Sequence, residues 1–514
     1  MRNTQKGLVV SLIKFASKVS AFTMLSRVIG FVRDTVFAMS FGAKSGFDIF
    51  LLAFRIPNMM RRIFAEGAFS QAFIPVLAEY ETKTTEEKQS FMNAVYSCLV
   101  LVTIALSVIV CGGCELVLRF GSGWLANNER TVLFFRLLQI TFPYLVLITI
   151  TGYYTAALQA KKHFTMAAFA PSFFNIILTA GAYLSSIYLA VPIYGAAATV
   201  MLGGFLQVGL MLYSYQKLYG LPTMVLFQLN PGIFKMLKLM CAGMYGASVA
   251  QIGISIDTII LSTLATGSIS WIYYAERLSY LPLGVFGVSI ATVLSPSLAK
   301  SSQSGNQQAF QKQIAWGFVT SVMIAIPAAI SLGLLAEPIV MTLFYRGKFT
   351  LEDVAQTAAA LQIFAIGIPA YMWVKVFAGA FYARQETWIP VQCATWSLAI
   401  NVVVGVIGSY LFAHVGIACA VATSAYVNAG LLYWRLKHEN IFAFEQTDLT
   451  KVSKVCGASL CTLIGVWVIP PTSQWVGLTV KLQLSYLTAA MIIALSGYVM
   501  TLWSLALDWR SPEH

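Results

Sequence analysis

The chain is a series of long apolar runs separated by short polar stretches. About fourteen runs reach the roughly 20 residues that an α-helix needs to cross a bilayer, whereas β-barrel strands would alternate in polarity. We therefore predict an all-α polytopic membrane protein. The predicted spans are 20–42, 46–79, 90–118, 130–158, 164–190, 193–217, 236–266, 268–298, 311–336, 353–383, 388–412, 416–437, 454–473 and 482–507. Span 46–79 is too long for one straight crossing, and Pro57 and Gly67 predict a break.

Composition supports this class of protein. Of 514 residues, 58% are hydrophobic and 10% are charged, with a mean hydropathy of +0.75, whereas soluble domains carry about 25% charged residues. No loop is long enough for a soluble core, and we expect no cleaved signal peptide. The net charge of +13 would suggest nucleic acid in a soluble protein. Here most of the basic residues lie in the loops between the apolar runs, so we expect no nucleic-acid partner.

The distribution of lysine and arginine predicts the orientation. With the N-terminus inside, 19 of the 33 basic residues fall in inner segments, six in outer segments and eight within spans. Because basic residues concentrate in cytoplasmic loops, both termini are predicted to be cytoplasmic.

Two halves of the chain look related. Pro75 and Pro296 are 221 residues apart, and so are Gly195 and Gly416. Asn175 and Asn401 are 226 residues apart. About six spans fit this interval, so the repeats are parallel. We predict six-helix lobes at 1–220 and 221–440, with two extra helices and a short cytoplasmic tail at 441–514.

Basic side chains inside the spans carry the functional argument. Placing one charged side chain at the centre of a membrane-spanning helix costs a free energy of at least about 2.5–3.5 kcal/mol. The basic side chains inside the spans are Arg27, Arg33, Arg55, Arg61, Arg62, Arg136, Arg277 and Lys375. Arginine grips phosphate at two points and stays charged, so a polar cavity for a diphosphate is one interpretation. The alternative is that these side chains snorkel or tie helices together by ion pairs. Arg136 and Lys375 are lone charges that favour this alternative.

Helical spacing predicts which of these residues meet. Arg27 and Asp34 share one face of the first span, and Ser26 and Arg33 share the adjacent face. In the second span, Asn58 pairs with Arg62 and Arg62 with Glu66 at i,i+4, while Arg61 is turned away.

The later spans hold a second group of charges. Tyr273 and Arg277 are i,i+4, with Glu276 beside them. Asp257 is the only acid of the seventh span, and a buried carboxylate suits either a sodium or proton site or a bond to an adjacent helix.

Catalytic motifs and a Walker A loop are missing from the sequence, so we expect a transporter rather than an enzyme. An ion gradient or the membrane potential would have to supply any energy that transport needs.

Three stretches resemble the MurJ (MviN) family of lipid II flippases, within the multidrug/oligosaccharidyl-lipid/polysaccharide exporter superfamily. They are 26–34, 61–73 and 270–277. The resemblance implies fourteen helices, with the last pair forming a groove for a polyprenyl tail. The implied cargo is lipid II, an undecaprenyl-diphosphate-linked disaccharide pentapeptide.

The resemblance also implies which residues line the cavity. The essential arginines of the family fall on Arg27, Arg33, Arg61 and Arg277. The other cavity positions match Ser26, Asp34, Asp48, Asn58 and Glu66, and Glu276 stands where some relatives carry Asp. Arg62 joins this predicted set because its helical spacing places it beside Asn58 and Glu66.

Some members of the family bind sodium between the seventh, eleventh and twelfth helices. The matching residues are Asp257, Asn401, Cys419 (through its carbonyl) and Thr423. Gly405 stands where that pattern has a carboxylate, which argues against sodium coupling. No other cofactor is expected.

The resulting hypothesis is a multi-pass protein of the bacterial inner membrane that flips lipid II by alternating access, for peptidoglycan and cell-wall biogenesis and cell shape. Its partners would be lipid II and membrane lipids. Alternatives are a flippase for another polyprenyl-diphosphate-linked oligosaccharide, a cation-coupled drug antiporter, and an enzyme acting on polyprenyl diphosphates.

Overall fold

The computed structural model describes residues 25–62, 68–120, 128–225, 230–470 and 472–505. Helices dominate these ranges, and none of the described residues lies in a β-strand. The chain divides into two compact units, Met1–Gln251 and Ile252–His514. The prediction of an all-α fold is confirmed. The lobe boundaries at 220 and 440 stay predictions.

The helices of the first unit follow the predicted spans closely. They are α1 (25–41), α2 (Ser45–Met60), α3 (Ala68–Tyr80), α4 (Thr85–Phe120), α5 (Glu129–Thr141), α6 (Tyr144–Ala160), α7 (Phe164–Tyr188), α8 (Pro192–Tyr219) and α9 (Pro231–Ser262), which contains the boundary at Gln251.

The second unit contains the remaining helices. They are α10 (Ser268–Pro282), α11 (Val288–Gln303), α12 (Gln307–Leu334), α13 (Ala336–Phe344), α14 (Leu351–Ala383), α15 (Trp388–Phe412), α16 (His414–His438), α17 (Gln446–Ser459), α18 (Thr472–Trp475) and α19 (Val480–Ser504). A π-helical turn, Leu283–Gly287, joins α10 to α11, and a 3₁₀ segment, Leu460–Val468, follows α17.

Within the described ranges, ten helical segments are long and apolar enough to cross a membrane. Several of the predicted spans are interrupted. Span 46–79 includes α2, which contains Pro57 and is followed by a π-helical turn at 61–62, and α3; Gly67 and the rest of the predicted break lie outside the described residues. Pro143 separates α5 from α6, and Pro282 ends α10 at the π-helical turn. Proline removes a backbone hydrogen bond, which accounts for these interruptions.

Each unit has its own apolar core. In the first unit, aromatic rings of α3, α4, α6 and α8 pack together, and the Tyr153 and Tyr215 hydroxyls lie 3.0 Å apart. In the second, residues of α11, α12, α14, α16 and α17 surround Phe318 and Phe377, whose rings stack 5.7 Å apart. The second core includes α14, the helix that bears Lys375.

Candidate functional site: charged clusters of the two units

Arg33 is held by residues of two helices of the first unit. Its Nε and Nη2 donate to Asp34 Oδ1 at 3.0 and 2.6 Å, and its Nη1 donates to Asn175 Oδ1 on α7 at 2.8 Å. The Arg33 and Asp34 side chains are only 12% and 3% exposed. The guanidinium also lies 5.6 Å from the centroid of the Phe37 ring, one turn along α1. Charge-assisted bonds of this kind fix both the position and the plane of the fork.

Asn58 contacts Arg61. Arg61 Nε donates to Asn58 Oδ1 at 2.9 Å, and Arg62 is exposed. The prediction that Arg61 points away from Asn58 was therefore wrong. The expectation considered only the i,i+4 spacing, but residues three apart are also neighbours on a helix. The Arg61 N–H bonds to the carbonyls of both Pro57 and Asn58.

The other predicted residues of the first unit have different environments. Ser26 and Arg27 are half-buried near the start of α1, and Asp48 is buried in the first turn of α2. Arg55 is half-buried in the same helix as Asp48. Glu66 lies outside the described residues.

In the second unit, Arg277 is exposed on α10 and lies 5.1 Å from the centroid of the Tyr273 ring. This confirms the predicted i,i+4 contact. Glu276 is half-buried beside it. A cation over an aromatic face is attracted by the ring quadrupole, so Tyr273 orients Arg277 without neutralising its charge.

Asp257 and Asn401 link α9 to α15. Asn401 Nδ2 donates to Asp257 Oδ1 at 2.7 Å, and both residues are buried. Asn401 Oδ1 is buried with no hydrogen-bond partner in the described structure. Of the predicted sodium ligands, Asp257 and Asn401 are thus shown in contact. Cys419 is half-buried and Thr423 is exposed.

Gly405 has no side chain and so supplies no side-chain oxygen to this pair. A Cβ there would lie 3.5 Å from Ile417 and 3.6 Å from Ala420, so its surroundings are apolar. No cluster of three or more potential metal-ligating His, Cys, Asp or Glu residues occurs among the described residues. Asp257 and Asn401, whose Oδ1 is unpaired, would supply only part of the oxygen ligands of a sodium site.

The two units contain similar ties between helices. Asn175 on α7 bonds to Arg33, which holds Asp34, and Asn401 on α15 bonds to Asp257. Asn175 and Asn401 are the two asparagines that mark the predicted repeat. The sequence analysis used Asn175 only as a repeat marker, although a polar side chain at an equivalent place in both halves was a signal of its role.

Arg136, expected to be a lone charge, also ties helices. It bonds to Glu115 at 3.0 Å, and Glu115 in turn accepts from Arg119 and Gln139. This network joins α4 to α5 and accounts for these charges without a ligand.

The family model described as lipid II flippase MurJ matches residues 37–486. The chain belongs to the MurJ family. The match includes Arg61 and Arg277 and begins four residues after Arg33. This family consists of transporters, so the protein is a multi-pass membrane transporter and not an enzyme.

Relatives in several bacteria support this assignment. The chain is 36% identical to the probable lipid II flippase MurJ of Haemophilus influenzae over 500 residues, covering 93% of this chain and 97% of the relative. It is 35% identical to that of Vibrio cholerae over 506 residues, covering 96% and 95%. The lipid II flippase MurJ of Burkholderia cenocepacia is 32% identical, covering 97% and 98%.

Solved structures agree with the family. A lipid II flippase MurJ in an inward closed conformation matches with a TM-score of 0.80 at 25% identity, covering 95% of this chain and 99% of that one. An inward-facing multidrug resistance transporter of the MATE family matches with a TM-score of 0.65 at 13% identity, covering 83% and 98%. The second likeness shows the shared fold alone.

Proposed function

We propose that this protein flips lipid II from the cytoplasmic to the periplasmic leaflet of the bacterial inner membrane. The observation that carries the proposal is the match to the lipid II flippase model over residues 37–486. The proposed orientation has both termini in the cytoplasm, because the basic residues concentrate in the segments on that side.

The proposed role of Arg27, Arg33, Arg61 and Arg277 is to hold the diphosphate of the cargo. Asp34 and Asn175 support this role for Arg33, because they fix its fork before the cargo arrives. Asn58 and Tyr273 orient Arg61 and Arg277 in the same way. Preorganised donors lose less conformational entropy on binding an anion. Ser26, Asp48, Arg62, Glu66 and Glu276 are proposed as further contacts of the headgroup.

Alternating access is the proposed mechanism. The interruptions at Pro143 and at the π-helical turn Leu283–Gly287 support it, because helices with broken hydrogen-bond ladders bend at lower cost. The last helices are proposed to hold the polyprenyl tail.

The experiment is transport of labelled lipid II by the purified protein in vesicles, with and without a membrane potential. We expect Arg33→Ala and Arg277→Ala to lower the rate at least tenfold. Arg33→Lys should recover little of the loss, because an ammonium cannot reproduce the planar fork. The control is Arg384→Ala, because Arg384 bonds to Glu386 in the α14–α15 loop. Normal transport by both arginine variants would contradict the proposed diphosphate site.

An experiment in cells distinguishes this function from that of a flippase for another lipid-linked oligosaccharide. Depletion of the protein should cause lipid II to accumulate, whereas accumulation of a different glycolipid would favour the alternative. A drug antiporter would need a cavity suited to cations, which exposed Arg277 opposes.

Sodium coupling at Asp257 and Asn401 stays a prediction. The unpaired Asn401 Oδ1 supports a cation there, and the apolar surroundings of Gly405 oppose it. The same vesicles test the prediction: a lower transport rate after Na⁺ is replaced by choline would support coupling, and an unchanged rate would reject it.

A further inference from the structure

Helix α10 has two opposite faces, and only one of them carries the arginine proposed to hold the diphosphate. The members of the polar face are half-buried or exposed, and they are Tyr273, Glu276, Arg277 and Tyr280. The members of the other face are buried, and they are Trp271, Tyr274, Ala275 and Leu278. Both sets follow the i, i+3, i+4, i+7 spacing of a single helix face. The rotation of α10 about its own axis therefore decides where Arg277 points.

Trp271 bonds the buried face of α10 to α14. Its indole Nε1 donates to Asp353 Oδ1 at 2.9 Å, and both residues are only 7% exposed. Asp353 belongs to the capping box of α14. Its Oδ2 accepts from the Thr350 N–H at 2.9 Å, and Thr350 Oγ1 accepts from the Asp353 N–H at 3.2 Å. The backbone of α14 therefore fixes the carboxylate to which the indole bonds.

The ring of Trp271 also contacts α16. His414 is the first residue of that helix, and the centroid of its ring lies 4.9 Å from that of Trp271. His414 is only 3% exposed, and its Nε2 donates to the Gln356 carbonyl of α14 at 3.0 Å, because a carbonyl can only accept. Two other helices thus confine Trp271, one through the indole N–H and one through the ring.

Apolar packing by itself does not fix the rotation of a helix. The burial of side chains such as Ala275 and Leu278 is favourable but non-directional, whereas a hydrogen bond weakens steeply as its angle closes. A bond to an ionised acceptor is about twice as strong as one between neutral groups. Trp271 lies six residues before Arg277 in one continuous helix, or about 9 Å along its axis. A rotation fixed at Trp271 is therefore fixed at Arg277.

We infer that Trp271 is a positioning residue for Arg277, because its bond to Asp353 sets the rotation of α10 at which the guanidinium faces the diphosphate of the cargo. This inference rests on the proposed function. Trp271 contributes no group to the cargo site, since its side chain is buried on the opposite face of α10. Loss of the bond should weaken the hold on the cargo while every group that contacts the cargo is still present.

The test measures how the initial transport rate depends on the mole fraction of labelled lipid II in the vesicles. Trp271→Phe keeps an aromatic ring beside His414 and removes the N–H. We expect it to raise the half-saturating mole fraction about fivefold to tenfold, with a maximal rate within about twofold of the wild type.

The matched control is Trp475→Phe. Trp475 is another fully buried tryptophan of the second unit, and its Nε1 donates to Thr342 Oγ1 of α13 at 3.2 Å. Its replacement removes a buried indole bond that does not involve α10, so the half-saturating mole fraction should equal that of the wild type. A merely structural role of Trp271 would lower the maximal rate, through loss of folded protein, and leave the half-saturating mole fraction unchanged. That result would overturn the inference.

A double variant shows whether Trp271 acts through Arg277. Binding of labelled lipid II in detergent, which does not depend on transport, is compared for Arg277→Ala with and without Trp271→Phe. Once the guanidinium is gone its position no longer matters, so the added change should alter the Kd less than about twofold. A further rise of about fivefold or more would mean that Trp271 acts by another route, which would also overturn the inference.

The outcomes separate the two proposals. Wild-type protein that fails to move lipid II rejects the proposed function, whereas normal transport with an unchanged half-saturating mole fraction in Trp271→Phe rejects only the role of Trp271. If Trp271→Phe folds poorly, Asp353→Asn is the second variant, because its amide oxygen still accepts from the indole but has no charge. It should raise the half-saturating mole fraction about threefold. An unchanged value would reject the positioning role.

Discussion

At the scale of single residues, the arginines differ in the groups that orient them. Arg33 is held by Asp34 and by Asn175, which is 142 residues away in sequence. Arg61 is held by Asn58 and Arg277 by an aromatic ring. Contacts such as those with Asn58 and Tyr273 orient a guanidinium fork, and an oriented fork suits the two-point recognition of an anion.

The contact between Arg33 and Asn175 leads to a prediction. Asn175→Ala removes the acceptor of Nη1, and hydrogen bonds to charged groups contribute about 1.5–3 kcal/mol. If this energy orients the fork for the cargo, lipid II transport should fall by about tenfold or more. Transport of labelled lipid II in vesicles measures the effect. Asn175→Asp keeps an acceptor and should retain more activity than the alanine variant.

The control for this prediction is Thr179→Ala. Thr179 lies one turn beyond Asn175 on α7 and donates only to the backbone carbonyl of Asn175. Its replacement should leave transport near the wild-type rate. Equal losses in Asn175→Ala and Thr179→Ala would mean that α7 tolerates no change here, and would not support a role in orienting Arg33.

At the scale of helices, α15 and α16 approach each other more closely than ordinary side chains allow. Gly408 and Gly416 face each other across the turn, and a Cβ added at Gly416 would collide with the Gly408 carbonyl. Ala413 between them has a φ of 50°, a left-handed conformation that the sharp reversal requires. Small residues permit such contact between membrane helices. The approach brings α16 against α15, the helix that carries Asn401.

Two glycines of α16 provide a matched pair of substitutions. Gly416→Ala should lower the free energy of unfolding by about 1–3 kcal/mol, because the new methyl group overpacks the contact. Gly430→Ala adds the same group where no atom lies within 4 Å, so it should be neutral or stabilising by up to about 1 kcal/mol. Thermal unfolding in detergent measures both. Similar shifts of the two variants would contradict the close contact.

At the scale of the whole molecule, each unit is a helical body with its own aromatic core and its own tie through an asparagine. The Asp34–Arg33–Asn175 and Asp257–Asn401 ties follow the predicted repeat. The repeat itself stays a prediction.

The proposed orientation predicts which loops face outward. In a variant without its eight cysteines, Lys44→Cys and Lys348→Cys should react with a membrane-impermeant thiol reagent in intact cells. Lys83→Cys and Lys437→Cys should react only after the membrane is opened, because basic loops stay in the cytoplasm. All four lysines are exposed, so access depends only on the side of the membrane. The opposite labelling pattern would invert the orientation.

The sequence by itself determined the class of protein, the approximate spans and the residues that carry charge into them. These properties depend on local hydrophobicity and on the length of a helix that crosses a bilayer. The contact between Tyr273 and Arg277 was also predictable, since i,i+4 neighbours touch in any regular helix.

Only the tertiary structure decided which polar groups meet across helices. Helical spacing puts both Arg61 and Arg62 within reach of Asn58, and the structure shows the contact with Arg61. The pairing of Arg33 with Asn175, and of Asp257 with Asn401, depended on how distant helices pack. Periodicity places a side chain on a face of its own helix. Which neighbour that face meets is set by the packing of the whole bundle.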